Sequence, residues 1–424
     1  MTQARPNTQD RQLRDRAARV IPGGMYGHLS TALMPESFPQ FFRSGKGAYL
    51  VDVDGNRSLD LMGAFGPSLF GYADAEIDAA YAAQLAQGDC LTGPTELMVE
   101  LAETFTATVA HADWAMFCKN GTDATTMALT TARAHTGRKT VVLAQGSYHG
   151  AAPWCTPRRS GVTAEDRANQ IHCVYNDIDT LETAVRTASD DLAAIFATPF
   201  KHDSFVDQRT VDPAYARRAR ELCDKHGALL VVDDVRGGFR LARDSSWSLV
   251  GVEPDLSAWG KCIANGHPIS ALLGSEKARK AASSIYVTGS YWCAAAAMAA
   301  SLVTLRRVRE TDYLERTVAM GERLRAGLDE RAAAAGLSIR QTGPVQMPLV
   351  LHDDDPDLRR GFFWSEAMLR RGIYTHPWHN MFVGAAVTEV DVDDALAAAE
   401  ESFAELKRAI PTLGPVERLA TIFG

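Results

Sequence analysis

Acid and amine stand in this chain where short apolar runs give out. Ala228-Leu229-Leu230-Val231-Val232 is an unbroken apolar run that stops at Asp233-Asp234. A run of that length, rich in Val and Leu, predicts a strand buried on both faces. Carboxylates at its end sit at the carboxyl end of the strand, where open α/β sheets bind ligands. Such a carboxylate is expensive to bury unless a cation answers it. A second short segment, Pro254 to Gly260, leads to Lys261. An acid at one strand end and an amine at the next suit a cofactor that needs both.

Two further stretches bear chemistry. Trp114-Ala115-Met116-Phe117-Cys118 predicts a buried strand, and Lys119-Asn120-Gly121-Thr122-Asp123-Ala124 opens an Ala/Thr-rich run to His135. Strand, tight Gly turn, hydroxyl and helix together offer free backbone N–H groups to an anion. Thr122 and Asp123 also suit an ordinary capped helix start. Tyr148 follows a strand over Lys139–Ala144 and could lie flat on a planar ligand or simply pack. Other signatures fail. Gly260-Lys261 lacks the P-loop Gly and Ser/Thr, since Asp255 and Cys262 stand there. No G-x-G-x-x-G follows a strand, and there is no G-x-S-x-G elbow. His376 and His379 have no acidic or Cys partner at metal spacing, so no metal site is expected.

The elements that must position these groups follow from pattern. Residues 1–20 read as a solvated amphipathic helix, and Ile21 to His28 as a Gly-rich loop that is either a connector or a pocket-lining arm. Gly47–Asp60 alternates apolar and polar residues about Asp54-Gly55-Asn56, a β-hairpin signal. Helical spacing marks 74–88, 95–110 and 212–226; strands are expected over Leu192–Thr198 and Ile269–Gly274. Residues 151–178, with Pro, Gly and paired Arg, read as a long surface excursion. A loop over Ile285–Trp292 enters an Ala-rich helix at 294–308. Strands alternating with helices argue for an α/β fold, a mainly parallel central sheet with helices on both faces. From about residue 310, helices 312–336, 359–371 and 391–408, with strands near 345–351 and 382–387, suggest a smaller α+β domain. The expected organisation is an arm and hairpin (1–60), a large domain (61–309) and a small domain (310–424).

Composition narrows the class. The 424 residues are 46% hydrophobic, enough for a large core plus a smaller one. A net charge of −8 with no basic stripe makes nucleic acid an unexpected partner. Seven dispersed cysteines without a C-x-x-C pair fit a reducing compartment. The polar first 19 residues show no secretory h-region, and no apolar segment is long enough for a bilayer. A soluble, cytoplasmic protein is expected.

Anion turn, stacking ring, strand-end acid and strand-end amine are the four things that pyridoxal 5'-phosphate requires. These serve its phosphate, its ring, its pyridine nitrogen and its aldehyde. The chain also resembles the class III aminotransferases of PLP fold type I, the glutamate-1-semialdehyde aminomutase branch in particular. The matching text runs in order along nearly the whole chain. It comprises Gly45-Lys46-Gly47-Ala48-Tyr49 with Asp52-Val53-Asp54-Gly55-Asn56, then Gly93-Pro94-Thr95-Glu96-Leu97, Gly121-Thr122 and Tyr148-His149-Gly150. Asp233-Asp234-Val235 with Gly238-Phe239-Arg240, and Pro254-Asp255-Leu256 leading to Gly260-Lys261, complete it. The resemblance implies that Lys261 carries the aldehyde as a Schiff base, Asp233 pairs with the pyridine nitrogen and Tyr148 stacks on the ring. It further implies that Gly121 and Thr122 hold the phosphate and that His149 and Val235 adjoin the cofactor. Ser290 would reach the phosphate of a neighbouring subunit, which implies a homodimer with shared active sites.

The departures fall where substrate should bind. Ser30 stands where the aminomutases place an Arg for the substrate carboxylate. Thr198-Pro199 replaces Glu-Pro, and Lys201-His202-Asp203 replaces a Gly/Asn-rich run. The expected activity is therefore transfer of an amino group between an amino donor and a keto acid or aldehyde other than glutamate semialdehyde. The alternatives are an aminomutase or racemase, and a nucleotide- or sugar-binding sheet protein without covalent chemistry. Arg158, Arg159, Arg236 and Arg240 are candidate carboxylate partners; Tyr26, His28, Trp154, Lys201, His202 and His379 are candidate pocket residues.

Overall fold

In the computed structural model, which describes residues 5–201 and 205–419, helix α1 (Thr8–Val20) precedes strands β1 (Phe42–Lys46), β2 (Tyr49–Asp52) and β3 (Arg57–Asp60). The expected hairpin joins β2 to β3 in antiparallel register. Asp52 Oδ1 accepts from the Asn56 N–H at 2.8 Å, while Gly55 takes φ +88, which an L side chain would resist. Helices α2 (Ala75–Leu85) and α3 (Leu97–Thr108) follow. Then come β4 (Trp114–Cys118), α4 (Gly121–Thr136), β5 (Thr140–Ala144), β6 (Gln170–Cys173), α5 (Ile178–Ala188) and β7 (Leu192–Ala197). The short β8 (Phe200–Lys201) and β9 (Arg209–Thr210) precede α6 (Pro213–His226), β10 (Leu229–Asp233), β11 (Leu256–Trp259) and β12 (Ser270–Gly274). The chain closes with α7 (Glu276–Ser284), α8 (Ala295–Glu310), α9 (Tyr313–Ala334), β13 (Ile339–Thr342), β14 (Leu349–His352), α10 (Arg359–Arg370), β15 (Ile373–Tyr374) and α11 (Glu389–Ala409).

Seven strands form the central sheet in the order β4-β12-β11-β10-β7-β5-β6. All run parallel except β12, which is antiparallel to both its neighbours. The apolar run of β10 is continuous because both faces of the sheet are covered. Leu229 and Val231 pack with Ala124 and Ala128 of α4, whereas Leu230 and Val232 pack with Ala216, Ala219 and Leu222 of α6. Each such Leu or Val side chain, fully withdrawn from water, contributes roughly 1.5–3 kcal/mol. The fold is the α/β architecture expected of PLP fold type I.

Two expectations need correction. The excursion over 151–178 contains β6, the edge strand, paired in parallel with β5 from Gln170 to Cys173. Only Cys173 of its four residues is fully buried, so the hydrophobic signal of a strand is weak there. The strand expected near 382–387 does not form. Phe382 N–H donates to Leu61 O (2.7 Å), Val383 to Gln346 O (2.9 Å) and Ala385 to Leu69 O (2.7 Å). Three acceptors on separate segments satisfy the backbone without a ladder. The strand of this region is β15, parallel to β3, in a four-stranded sheet ordered β1-β2-β3-β15. One apolar core therefore joins Met34, Phe38 and Leu59 near the amino end to Leu324, Trp364, Leu396 and Phe403.

Candidate active site

β10 and β11 lie side by side in parallel, with Asp233 opposite Ala258. Lys261 follows β11 immediately after Trp259-Gly260, so acid and amine occupy neighbouring strand ends. Lys261 has φ +52, an uncommon conformation for a residue with a Cβ, and opens a short helical turn ending at Ala264. The turn is held by Asn265, whose Oδ1 accepts from Leu69 N–H (2.9 Å) and Phe70 N–H (2.8 Å) and whose Nδ2 donates to Gly71 O (2.8 Å). Lys261 Nζ donates to Phe65 O at 2.8 Å. Burial first, then the charges of Arg236 and Arg240, bring the Lys261 pKa down to about 7. At neutral pH a large share of this amine is an uncharged nucleophile and base.

Asp233 is held by His149. Its Oδ2 lies 2.8 Å from Nδ1 of that ring, and its Oδ1 accepts from Val235 N–H at 3.2 Å. His149 is 2% exposed, stacks on Trp154 with an interplanar angle of 9°, and meets Phe196 edge-on. Its carbonyl accepts from Thr125 Oγ1 at 2.7 Å, which ties the loop to α4. Nε2 of the same ring is buried without a hydrogen-bond partner among the described residues. Asp234 points elsewhere: Ser245 Oγ donates to it at 2.7 Å, Ser246 N–H donates too, and burial pushes its pKa up to about 7.

The first turn of α4 faces the same region. The N–H groups of Gly121 and Thr122 have no intrahelical acceptor by helix geometry. A Cβ on Gly121 would stand 2.7 Å from Val235 Cγ1, so the valine packs directly on the turn. Thr122 Oγ1 accepts from Ala151 N–H at 3.1 Å, leaving its proton to donate. Gly150, at φ +122, passes so close that a Cβ there would lie 2.5 Å from that oxygen. Tyr148 is 42% exposed, and its phenol pKa is raised by partial burial, then by Cys155.

Seven of the eight expected positions therefore gather around one strand-end cleft: Gly121, Thr122, Tyr148, His149, Asp233, Val235 and Lys261. Ser290 does not join them; it lies exposed in a turn and bonds to none of them among the described residues. Arg158 and Arg159 are exposed. Trp154 lies behind His149 and donates to Thr126 Oγ1 at 3.0 Å. Arg240 is fully buried and committed to the carbonyls of Gly66 (2.8 Å), Val383 (3.1 Å) and Ser68 (3.4 Å). Ser30 Oγ accepts from Ala32 N–H. Tyr26 is largely exposed, and Lys201 is half-buried in β8. His202 and Asp203 lie outside the described residues. His28 is open on its outer edge, yet its pKa is lowered by desolvation, then by Lys261 and Arg236. His376 accepts from the N–H groups of Trp378 and His379 through Nδ1, and burial holds its pKa at about 3.

Four residues of this cleft escaped the sequence: Phe65 and Gly66, and Asn380 with Phe382. Phe65 meets His28 edge-on at 4.9 Å and His379 at 5.5 Å. A Cβ on Gly66 would lie 2.9 Å from Phe382 Cε1 and 3.2 Å from Lys261 Cδ. The sole local signal was the Gly63-Ala64-Phe65-Gly66-Pro67 cluster, in which Ala64 and Phe65 both adopt positive φ. Pyridoxal 5'-phosphate fits the assembled residues. The amine, the carboxylate and the anion-binding turn converge from separate elements, and they supply the base, the negative charge and the N–H donors that the group requires.

Comparison with known proteins agrees. The family model Aminotransferase class-III matches residues 34–383. The aminopentol aminotransferase of Sphingopyxis macrogoltabida is 54% identical over 417 residues, covering 98% of this chain and 99% of that one. The glutamate-1-semialdehyde 2,1-aminomutase of Roseiflexus castenholzii is 32% identical, covering 93% and 96%. The FumI protein of Sphingopyxis sp. MTA144, solved in its PLP internal aldimine form, superposes with a TM-score of 0.95 at 55% identity over 96% of this chain and 99% of that one. A match spanning most of the chain, and a relative sharing more than half of its residues, place this protein in the class-III aminotransferase family, pyridoxal 5'-phosphate enzymes that move amino groups from donor to carbonyl acceptor.

Proposed function

We propose that the cleft transfers the amino group of a polyhydroxylated aliphatic amine to an oxo acid, with Lys261 as its acid–base residue. The carrying observation is that Asp233 ends β10 and Lys261 follows the adjacent parallel β11, one oriented by His149 and the other donating to Phe65 O. Pyridoxal 5'-phosphate, when bound, supplies an electron sink for the carbon that bears the amino group. Asp233 presents negative charge to the ring nitrogen, and His149 fixes its orientation. Gly121 and Thr122 offer N–H groups and a hydroxyl to the phosphate, while Val235 and Tyr148 bound the ring. Lys261 Nζ removes the proton from the amine-bearing carbon of the donor and, in the second half-reaction, returns a proton to the former carbonyl carbon of the acceptor. The amine class follows the name of the 54% identical relative, and Ser30, in place of an Arg, supports a substrate lacking the aminomutases' carboxylate contact.

A homodimer with shared sites belongs to the same reading. Ser290 lies between Tyr286, 91% exposed, and Tyr291, also largely exposed, an arrangement that suits cover by a second copy. Seven free cysteines support a reducing, cytoplasmic setting. Among the described residues, no helix is long and apolar enough to cross a membrane. The test uses the cofactor-loaded protein, aminopolyols and simple amines as donors, and pyruvate as acceptor. Lys261→Ala should lower turnover by about 10⁴-fold or more and remove the visible absorbance of the bound cofactor. Transamination that survives Lys261→Ala, or product formed from one substrate with no acceptor, would sink the proposal.

A further inference from the structure

Of the four arginines that could meet a carboxylate, one is left uncommitted beside the amine. Arg158 and Arg159 are exposed, and Arg240 is spent on three backbone carbonyls. Arg236 leaves the end of β10 on the site side. Its hydrogen-bond partners among the described residues are both uncharged acceptors: Asn380 Oδ1 at 2.5 Å and His379 Nε2 at 3.4 Å, both through one terminal nitrogen. Its guanidinium lies 5.6 Å from the centre of the Phe382 ring, and the edge of that ring and Lys261 Cδ converge over Gly66. Arg236 and Lys261 thus flank one aromatic side chain; the Arg236 charge acts on Lys261, and both act on His28. Asp233, the anion that reaches it, is already engaged by His149. A largely desolvated guanidinium with no ion-pair partner among the described residues is costly unless an anion arrives.

We infer that Arg236 binds the carboxylate of the oxo-acid acceptor and of the amino acid it becomes, a contact that amino-acid donors use in the reverse half-reaction, oriented for this by Asn380. The inference rests on the aminotransferase reading and deepens it. Ser30 stands where an arginine would serve a carboxylate in the aminomutases, and Arg236 supplies a guanidinium whose charge reaches the amine. The fork of a guanidinium holds a carboxylate through two parallel hydrogen bonds, and the nitrogens not bonded to Asn380 are available for it. A donor without a carboxylate makes no use of this contact. The residue therefore distinguishes the two half-reactions of one site.

The experiment compares wild type, Arg236→Gln and Arg236→Lys, all loaded with cofactor to equal absorbance. Bleaching of that absorbance is followed with L-alanine, L-glutamate and β-alanine, and with 2-aminopropane, which carries a methyl group where alanine carries its carboxylate. Binding of propanoate, an unreactive carboxylate, is measured separately by calorimetry. Arg236→Gln should lose on the order of a hundredfold in kcat/KM for the best amino acid, expressed mainly in KM. It should also lose propanoate binding, with 2-aminopropane largely unaffected and Arg236→Lys in between. Equal losses for both donor classes, or propanoate binding unchanged in Arg236→Gln, would overturn the inference. So would a wild type that takes 2-aminopropane but no amino acid. A wild type bleached by no amine at all would instead remove the aminotransferase reading beneath it.

Discussion

The cleft has two walls, made in opposite ways. One is the end of the central sheet, where ladder hydrogen bonds between β10 and β11 fix Asp233, and the turn that follows β11 carries Lys261. The other is the segment from Thr375 to Val383, which has no ladder. Its backbone is tied piecemeal, with Met381 N–H on Pro348 O (2.8 Å), Phe382 N–H on Leu61 O (2.7 Å) and Val383 N–H on Gln346 O (2.9 Å). The regular wall carries groups that must not move by a fraction of an ångström, since acid–base chemistry depends on their positions. The irregular wall carries Asn380 and Phe382, which shape what lies beside the amine. Strain collects between the walls, at Lys261, Ala64 and Phe65 with positive φ.

That contrast can be broken at the regular wall first. Asp233→Asn keeps an acceptor for the Val235 N–H but removes the charge facing His149. Turnover should fall about 10²–10³-fold with the unfolding midpoint nearly unchanged, a difference that steady-state kinetics and calorimetry read together. A purely structural role would show the reverse pattern.

Arg240 joins the walls, since its guanidinium reaches Gly66 O and Ser68 O on one side and Val383 O on the other. Arg240→Met should destabilise the protein by about 3 kcal/mol, because buried carbonyls lose their donor. Urea unfolding measures this. A loss below the scatter of the fit would mean that the carbonyls find other partners.

The smallest effect sharpens the electrostatics between the walls. The folded-state pKa of Lys261 lies near 7, below its ordinary value, so the unfolded chain binds the extra proton between those two values. Apoprotein stability should therefore rise with pH across that window, and Lys261→Met should flatten the rise. The rate of cofactor capture by the apoprotein should climb with pH up to about 7 and then level, as stopped-flow absorbance would show. A midpoint nearer the ordinary lysine value would mean that burial and the charges of Arg236 and Arg240 do not press on the amine as the structure requires.

Legibility followed the same division. β4, β10 and the hairpin about Asp54-Gly55-Asn56 could be read because each announces itself within ten residues, by an apolar run or a turn dipeptide. β6 could not, since an edge strand needs only part of its surface buried. The apolar letters Met381-Phe382-Val383 suggested a strand, yet their burial comes from an irregular crossing between Leu61, Leu69 and Gln346.

The order of residues alone determined that a carboxylate would end a buried strand, that an amine would follow another, and that a Gly-Thr turn would open a helix. It did so because burial on two faces and helix initiation leave local patterns. Tertiary structure decided that those two strands are neighbours, that His149 answers Asp233, and that Phe65 O receives the amine. It also decided that Arg236 rather than Arg240 keeps its charge unspent. The His149–Asp233 and Lys261–Phe65 contacts join positions 84 and 196 residues apart. No local periodicity records them, since the side chains meet only after the sheet and the surrounding loops have closed on one another.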